Sequence, residues 1–177
     1  GSILINKNNL INNLSAIRKV LPKSKVMSMI KSDAYGHGIL EVANLLRESD
    51  AFAVATIEEA KYLRNNHIDK EIVCLQGFSN KDEYKYCSKN NIRPVIHDFS
   101  QVKIIENTTL KKNIKLWIKI DTGMNRLGFH SSDFVEVFKN CKNVSDQVGI
   151  MTHLACADEN EDNFSNKQIS LLEDFVN

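Results

Sequence analysis

Residues 52–76 read FAVATIEEAKYLRNNHIDKEIVCLQ, two short apolar runs, Phe52–Thr56 and Ile72–Gln76, separated by a helical segment at 57–66. The order strand, helix, strand within about 25 residues is the repeat of a right-handed βαβ unit. The pattern extends in both directions. Further apolar runs lie at residues 25–31 (KVMSMIK), Arg93–His97 (RPVIH), Ile114–Asp121 (IKLWIKID) and Gln147–His153 (QVGIMTH). Helical segments are predicted at 80–90, 99–107, 132–140 and 163–176, and after the GHG turn, where Leu40, Val42, Ala43, Leu45 and Leu46 recur. At the front, Leu10, Ile11, Leu14, Ile17 and Leu21 are spaced for one helix face, and Pro22 stops that helix. Nearly continuous apolar strands fit a parallel sheet buried on both faces. The fold class is α/β.

Length and composition allow one sizeable core or slightly more. With 42% hydrophobic and 25% charged residues the chain reads as an ordinary globular domain. The net charge of +1 is made of interspersed lysines and acids, with no basic stripe to attract nucleic acid. No apolar run approaches the roughly 18 residues that span a bilayer, and no secretion signal is recognisable. Gly1-Ser2 reads as a cloning scar, so the natural sequence is expected to start near Ile3. Cys74, Cys87, Cys141 and Cys156 form no CxxC pair and sit in apolar or helical stretches, which predicts buried free thiols and a reducing cytoplasm.

The strand ends carry the functional signal. Read to their last residues, the six runs finish in Lys31, Thr56, Gln76, His97, Lys119 with Asp121, and His153. In a β/α barrel these ends and the loops after them form the catalytic face. Polar residues are also common wherever a strand exits into solvent, so any one of them alone is open. Six together favour a ring of polar groups around one pocket. A complete eight-unit barrel needs at least about 200 residues, and six units are found. The expectation is an open sheet or a partial barrel, whose two uncovered strand edges would invite association.

Three stretches hold the candidate chemistry. In Met29-Ile-Lys-Ser-Asp-Ala-Tyr-Gly-His-Gly38, Lys31 ends a buried strand, where desolvation favours the free amine needed for Schiff-base formation. Tyr35 follows in the loop within reach of an anion such as a phosphate, and Gly36 and Gly38 permit a tight turn. A strand-end lysine is also commonly a snorkelling surface residue, so spacing alone leaves Lys31 open. In Trp117-Ile-Lys-Ile-Asp-Thr-Gly-Met-Asn-Arg-Leu-Gly-Phe129, Arg126 lies in a glycine-containing loop, where it could grip a carboxylate or phenolate, cap a helix or sit in solvent. In Ile150-Met-Thr-His-Leu-Ala-Cys-Ala-Asp158, His153 is either a core histidine or a flat group stacked on a ring. The five histidines form no HxH or HExxH pair, so zinc is not indicated. GxSxG, GxxxxGK[ST] and GxGxxG are absent, which leaves serine hydrolase, NTPase and dinucleotide readings without support.

Together the three stretches resemble the alanine racemase family. KSDAYGHG is similar to that family's cofactor-lysine signature, KADAYGHG, departing from it at Ser32; KIDTGMNRLG resembles its arginine loop and MTHLACAD its histidine strand. The likeness runs from about residue 3 to 177. It implies a partial (β/α)8 TIM-type barrel of about six of eight β/α units, with residues 1–177 the N-terminal portion of a pyridoxal-phosphate-binding barrel and the family's C-terminal β domain absent. It implies that Lys31 holds pyridoxal 5'-phosphate as an aldimine and exchanges the α-proton on one face. Tyr35 would hydrogen-bond the phosphate. Arg126 would contact the phenolic oxygen and the substrate carboxylate, and His153 would pack on the pyridine ring. Lys119 matches a lysine that many members carry carbamylated. The implied whole enzyme is a cytoplasmic homodimer interconverting L- and D-alanine for peptidoglycan, the second base coming from the β domain; a piece of this length is expected to be inactive. The alternatives are a related broad-specificity or serine racemase, and a non-catalytic pyridoxal-phosphate-binding protein, which uses the barrel without the β domain.

Overall fold

The computed structural model describes residues 4–110, 114–159 and 163–175. Residues 1–2, read as a scar, and the last position expected in the final helix, 176, lie outside them. Six strands form one sheet in sequence order: β1 (Met27–Met29), β2 (Ala51–Val54), β3 (Glu71–Cys74), β4 (Ile92–Ile96), β5 (Leu116–Lys119) and β6 (Val148–Met151), every neighbouring pair parallel. Helices fill the crossovers: α1 (Lys7–Val20) before the sheet, then α3 (Ile39–Leu45), α4 (Ile57–Asn65), α5 (Lys81–Lys89), α6 (Phe99–Glu106), α7 (Phe134–Lys142) and, after β6, α8 (Phe164–Glu173). The result is an α/β half-barrel. Among the described residues no helix is long and apolar enough to cross a membrane.

Local chemistry explains where the helices begin. Asn6, Thr56, Asn80 and Asp98 are extended residues whose side chains accept backbone N–H groups of the first turns of α1, α4, α5 and α6. Thr56 and Glu59 complete a reciprocal capping box. Leu21, with Pro22 behind it, ends α1.

Strand alternation sorts side chains onto two faces. Phe52, Val54, Ile72, Cys74, Ile92, Ile96, Leu116 and Ile118 point to the helices and join Ala60, Leu63, Tyr84, Cys87, Val102, Val137 and Cys141 in the main core. Each large side chain removed from water there contributes roughly 1.5–3 kcal/mol. The other face carries a much smaller cluster, Ala53, Val73 and Val95, with Met27, Leu75, Trp117 and Met151 packed on it. This concave face is the barrel interior. Cys74, Cys87 and Cys141 are buried thiols; burial pushes Cys74 and Cys141 up to about 12 and Cys87 also upward, so all three stay protonated and inert. Cys156 is half-buried.

Ahead of the GHG turn the structure adds an element that the sequence did not announce. Lys31–Gly36 (α2) is a single helical turn of left-handed sense, with Ser32, Asp33, Ala34 and Tyr35 at φ between 52 and 57°. Gly36 closes that turn and Gly38 follows it, both at positive φ (83° and 86°), making the tight turn before α3. Left-handed backbone costs an L-residue roughly 1–2 kcal/mol, so the surroundings must hold it. Ser32 N–H donates to Glu59 Oε1 (2.6 Å), Ala34 N–H to Ile30 O (2.9 Å) and Gly38 N–H to Asp33 O (3.0 Å). Asp33 Oδ1 accepts the Ile39 N–H (2.8 Å) at the start of α3, and Ala34 is buried.

Candidate active site

The left-handed turn decides where the first two candidates point. Ile30 still donates to Ala53 O, so the ladder continues one residue past β1 and Lys31 leaves directly from the sheet edge. The reversed hand then brings Tyr35 back over its own strand end, with Lys31 Nζ 6.0 Å from the Tyr35 ring centroid. Tyr35 is 60% exposed, unusual for a large aromatic ring on a rigid turn.

Arg126 is presented by a loop closed at its base. Phe129 N–H donates to Lys119 O and Asp121 N–H to Phe129 O (both 2.9 Å), so the chain returns to β5 after one excursion. Gly128 is required there. At its φ of +130° a Cβ would lie 2.7 Å from Asp121 N and 2.9 Å from Ile120 C, both backbone atoms that cannot yield. Within the loop Asp121 Oδ1 accepts the N–H groups of Gly123 (2.9 Å) and Asn125 (3.1 Å). The carboxylate of Asp121 therefore serves the loop.

Lys31, Tyr35, Lys119, Arg126 and His153 line one cavity of about 330 Å3 at the carboxyl-terminal end of the strands, with Gln76 and Met151 on its wall. All five residues singled out in the sequence meet there. Of the broader ring of strand-end residues, Gln76 joins them and Thr56, His97 and Asp121 do not. Thr56 is occupied as the cap of α4, His97 lies against the Gln76 carbonyl (3.1 Å), and Asp121 holds its loop. The excess has a simple cause: a strand end is also where the next helix cap or turn needs a polar side chain.

The electrostatics of the cavity are one-sided. Among the described residues, Lys31, Lys119 and Arg126 form no ion pair, the carboxylate pairs being Arg18–Asp50, Lys61–Glu58 and Arg93–Glu71. Lys119 is only 9% exposed. Burial first, then Arg126 and to a lesser degree Lys31, hold its amine below the usual lysine range, with Asp121 pulling the other way. His153 is exposed at the rim, and its imidazole is held below its ordinary value by partial desolvation and by Arg126, Lys119 and Lys31. Three converging cations without a carboxylate, beside a phenol and a neutral imidazole, suit an anionic ligand carrying a flat ring.

Glu59 and Gln168 escaped the sequence reading. Glu59 was legible in principle, since Thr56-Ile-Glu-Glu59 spells a capping box. Its carboxylate also takes the N–H groups of Ser32 and Ala55, tying the turn after Lys31 to the end of β2. Gln168 is a fully buried polar residue in the apolar stripe of α8 between Phe164 and Leu172.

The family model described as alanine racemase, N-terminal domain, matches residues 5–177. The chain is 37% identical over 178 residues to the biosynthetic alanine racemase of Escherichia coli O6:H1, covering 99% of this chain and 50% of that protein. It is 38% identical over 165 residues to the alanine racemase of Shewanella woodyi, covering 92% and 46%. Among solved structures, the biosynthetic alanine racemase of Pseudomonas aeruginosa superposes with a TM-score of 0.88 at 27% identity, over 96% of this chain and 48% of that one. The chain thus spans about half the length of the curated relatives it matches.

Proposed function

Since the chain belongs to the alanine racemase N-terminal domain family, we propose that its residues 1–177 form the first part of the cofactor-binding barrel of an enzyme that interconverts L- and D-alanine. The observation that carries this reading is the convergence of Lys31, Lys119 and Arg126, none in an ion pair among the described residues, on one cavity with Tyr35 and His153. That donor set fits pyridoxal 5'-phosphate, which brings a phosphate, a phenolate and an aromatic ring to a site lacking anions. The whole enzyme would act as a homodimer in the cytoplasm and supply D-alanine for peptidoglycan.

Each residue has a definable task. The Lys31 amine would hold the cofactor through its aldehyde group and, as the free base, would take or return the α-proton on one face of the amino acid. Tyr35 donates its hydroxyl to the phosphate. The fork of Arg126 binds the phenolic oxygen and the substrate carboxylate. His153, its imidazole held below the ordinary value by desolvation and then by Arg126, Lys119 and Lys31, offers a flat face to the ring. Lys119, with its proton affinity reduced, is the amine that adds CO2 with loss of a proton, and the resulting carbamate anion would pair with Arg126. When bound, the cofactor supplies the electron sink that makes the α-proton removable. Racemisation needs a second base on the opposite face, and we assign that role to no residue of this cavity.

Borohydride reduction of the 177-residue chain mixed with pyridoxal 5'-phosphate, followed by peptide mass mapping, tests this assignment. The expected outcome is a single adduct at Lys31 and its loss in Lys31→Ala. An adduct spread evenly over the surface lysines, or unchanged in Lys31→Ala, would overturn it. The chain mixed with pyridoxal 5'-phosphate and left unreduced is expected to leave L-alanine unracemised; measurable D-alanine would place both bases within these residues.

A further inference from the structure

The loop that carries Arg126 and the strand end that carries His153 belong to different β/α units, yet one side chain from a third element holds both. Gln168, on α8, is 0% exposed and directs both amide protons and its carbonyl oxygen at them. Its Oε1 accepts the Ala155 N–H (2.9 Å), and its Nε2 donates to His153 O (3.0 Å) and to Thr122 Oγ1 (3.2 Å). The direction of the remaining bonds follows from proton count. Thr152 has one hydroxyl proton, which goes to Ile120 O (2.9 Å). The 2.7 Å contact between Thr152 and Thr122 is therefore donated by Thr122. A single relay runs from Gln168 through Thr122 and Thr152 to the end of β5, joining the roots of both loops.

A second contact comes from the same face of α8, one turn earlier. A Cβ on Gly123 would lie 2.8 Å from Phe164 Cζ, so the backbone of the Arg126 loop is seated directly on that ring. Gln168 lies on the stripe between Phe164 and Leu172, where an apolar side chain of equal volume would pack equally well. The carboxamide is thus not needed to fill space. What it adds is a fixed register between two loops whose tips face the same cavity.

We propose that Gln168 is a positioning residue which, from behind the cavity, sets the relative placement of Arg126 and His153 and thereby the affinity for the cofactor. This rests on the cofactor reading above. The geometric half stands without it, because the relay and its effect on His153 are measurable in the chain alone. Preorganisation of ligating groups by a buried outer shell is a general route to affinity.

The test compares wild type with Gln168→Met, which keeps volume and removes every hydrogen bond, and with Thr122→Val and Thr122→Ser, which break and keep the relay. Three quantities are measured on the 177-residue chain by NMR and by borohydride trapping. These are the exchange rate of the Ala155 amide, the titration midpoint of His153, and the concentration of pyridoxal 5'-phosphate that half-fills Lys31. In Gln168→Met the Ala155 amide should exchange about tenfold faster or more. The His153 midpoint should rise toward its ordinary value, because Arg126, Lys119 and Lys31 are no longer held against it. Cofactor affinity should fall about tenfold, the equivalent of ~1.4 kcal/mol. Thr122→Val should give part of each change and Thr122→Ser none.

A folded Gln168→Met with wild-type His153 titration and Ala155 exchange would overturn the proposal, as would a loss of melting temperature alone. If Gln168→Met does not fold, the contrast between Thr122→Val and Thr122→Ser decides in the same way. A wild-type chain that traps no cofactor at Lys31 would count against the cofactor reading, while the His153 and Ala155 measurements would still judge the relay.

Discussion

At the amino-terminal end of the strands, Arg93 lies with its guanidinium carbon 4.1 Å from the Trp117 ring centroid, its Nη1 3.5 Å from Glu71 Oε1 and its Nη2 donating to Leu116 O (3.4 Å). At the carboxyl-terminal end of the same concave face, Lys31, Lys119 and Arg126 surround a cavity with no carboxylate paired to any of them among the described residues. Both ends bring cations onto a sheet face that is otherwise apolar. One end supplies the compensation from within the fold: a carboxylate, a carbonyl and an aromatic face. The other leaves it to be supplied from outside. The difference separates a charge that serves the structure from charges that serve a ligand, and it needs no knowledge of what the ligand is.

The comparison breaks first at the paired end. Replacing Glu71 by Gln keeps the shape and removes the countercharge of a guanidinium whose own charge burial already opposes. The pair is partly exposed, 15% and 33% for the two side chains, so the cost should fall between that of a surface and a buried pair, about 1–2 kcal/mol in urea unfolding at constant m-value. A change under ~0.5 kcal/mol would mean that Arg93 relies on Trp117 alone. The unpaired end should behave in the opposite way. Lys119→Met removes a buried ammonium from beside two other cations, so stability should hold or rise by up to about 1 kcal/mol. Because the folded-state value of Lys119 lies below the ordinary lysine value, the unfolded chain retains a proton between the two that the folded chain has released. Wild-type stability should gain with rising pH in that window relative to Lys119→Met. A substantial loss of stability in Lys119→Met would show that its charge is structural after all.

What was legible from sequence follows the same division. Strands and helices were readable because Phe52–Thr56 and Ile72–Gln76 are largely apolar on both faces and helices start at Asn, Asp or Thr caps, all local properties. The five cavity residues were readable from three motifs, and the fold brings all of them together. Harder to see was anything that depends on a partner distant in sequence. Four consecutive left-handed residues defy the propensities of Ser32, Asp33, Ala34 and Tyr35. They persist because Glu59, 27 positions after Ser32, supplies an acceptor. Arg93, Glu71 and Trp117 gave no motif because their meeting is a matter of register across β3, β4 and β5. Thr56 and Asp121 looked like pocket residues since cap and ligand positions coincide at a strand end.

The finest measure of the one-sided field is His153. Its imidazole is held below the ordinary histidine value first by desolvation and then by Arg126, Lys119 and Lys31. In the range just under that ordinary value the unfolded chain takes up a proton that the folded chain still refuses, so this residue makes stability fall as pH falls there. Arg126→Gln removes the charge that acts most on His153 and leaves most of the desolvation, so the NMR titration midpoint of His153 should rise part of the way and no further. Arg126 is exposed, and its share should be the part that salt can screen; near 1 M salt the screening length is only about 3 Å. Wild type in high salt should then approach Arg126→Gln in low salt, while both remain below an unperturbed imidazole. Coincident low-salt midpoints for wild type and Arg126→Gln would mean that Arg126 points away from the cavity in solution, and the contrast between the two ends of the sheet would rest on the lysines alone.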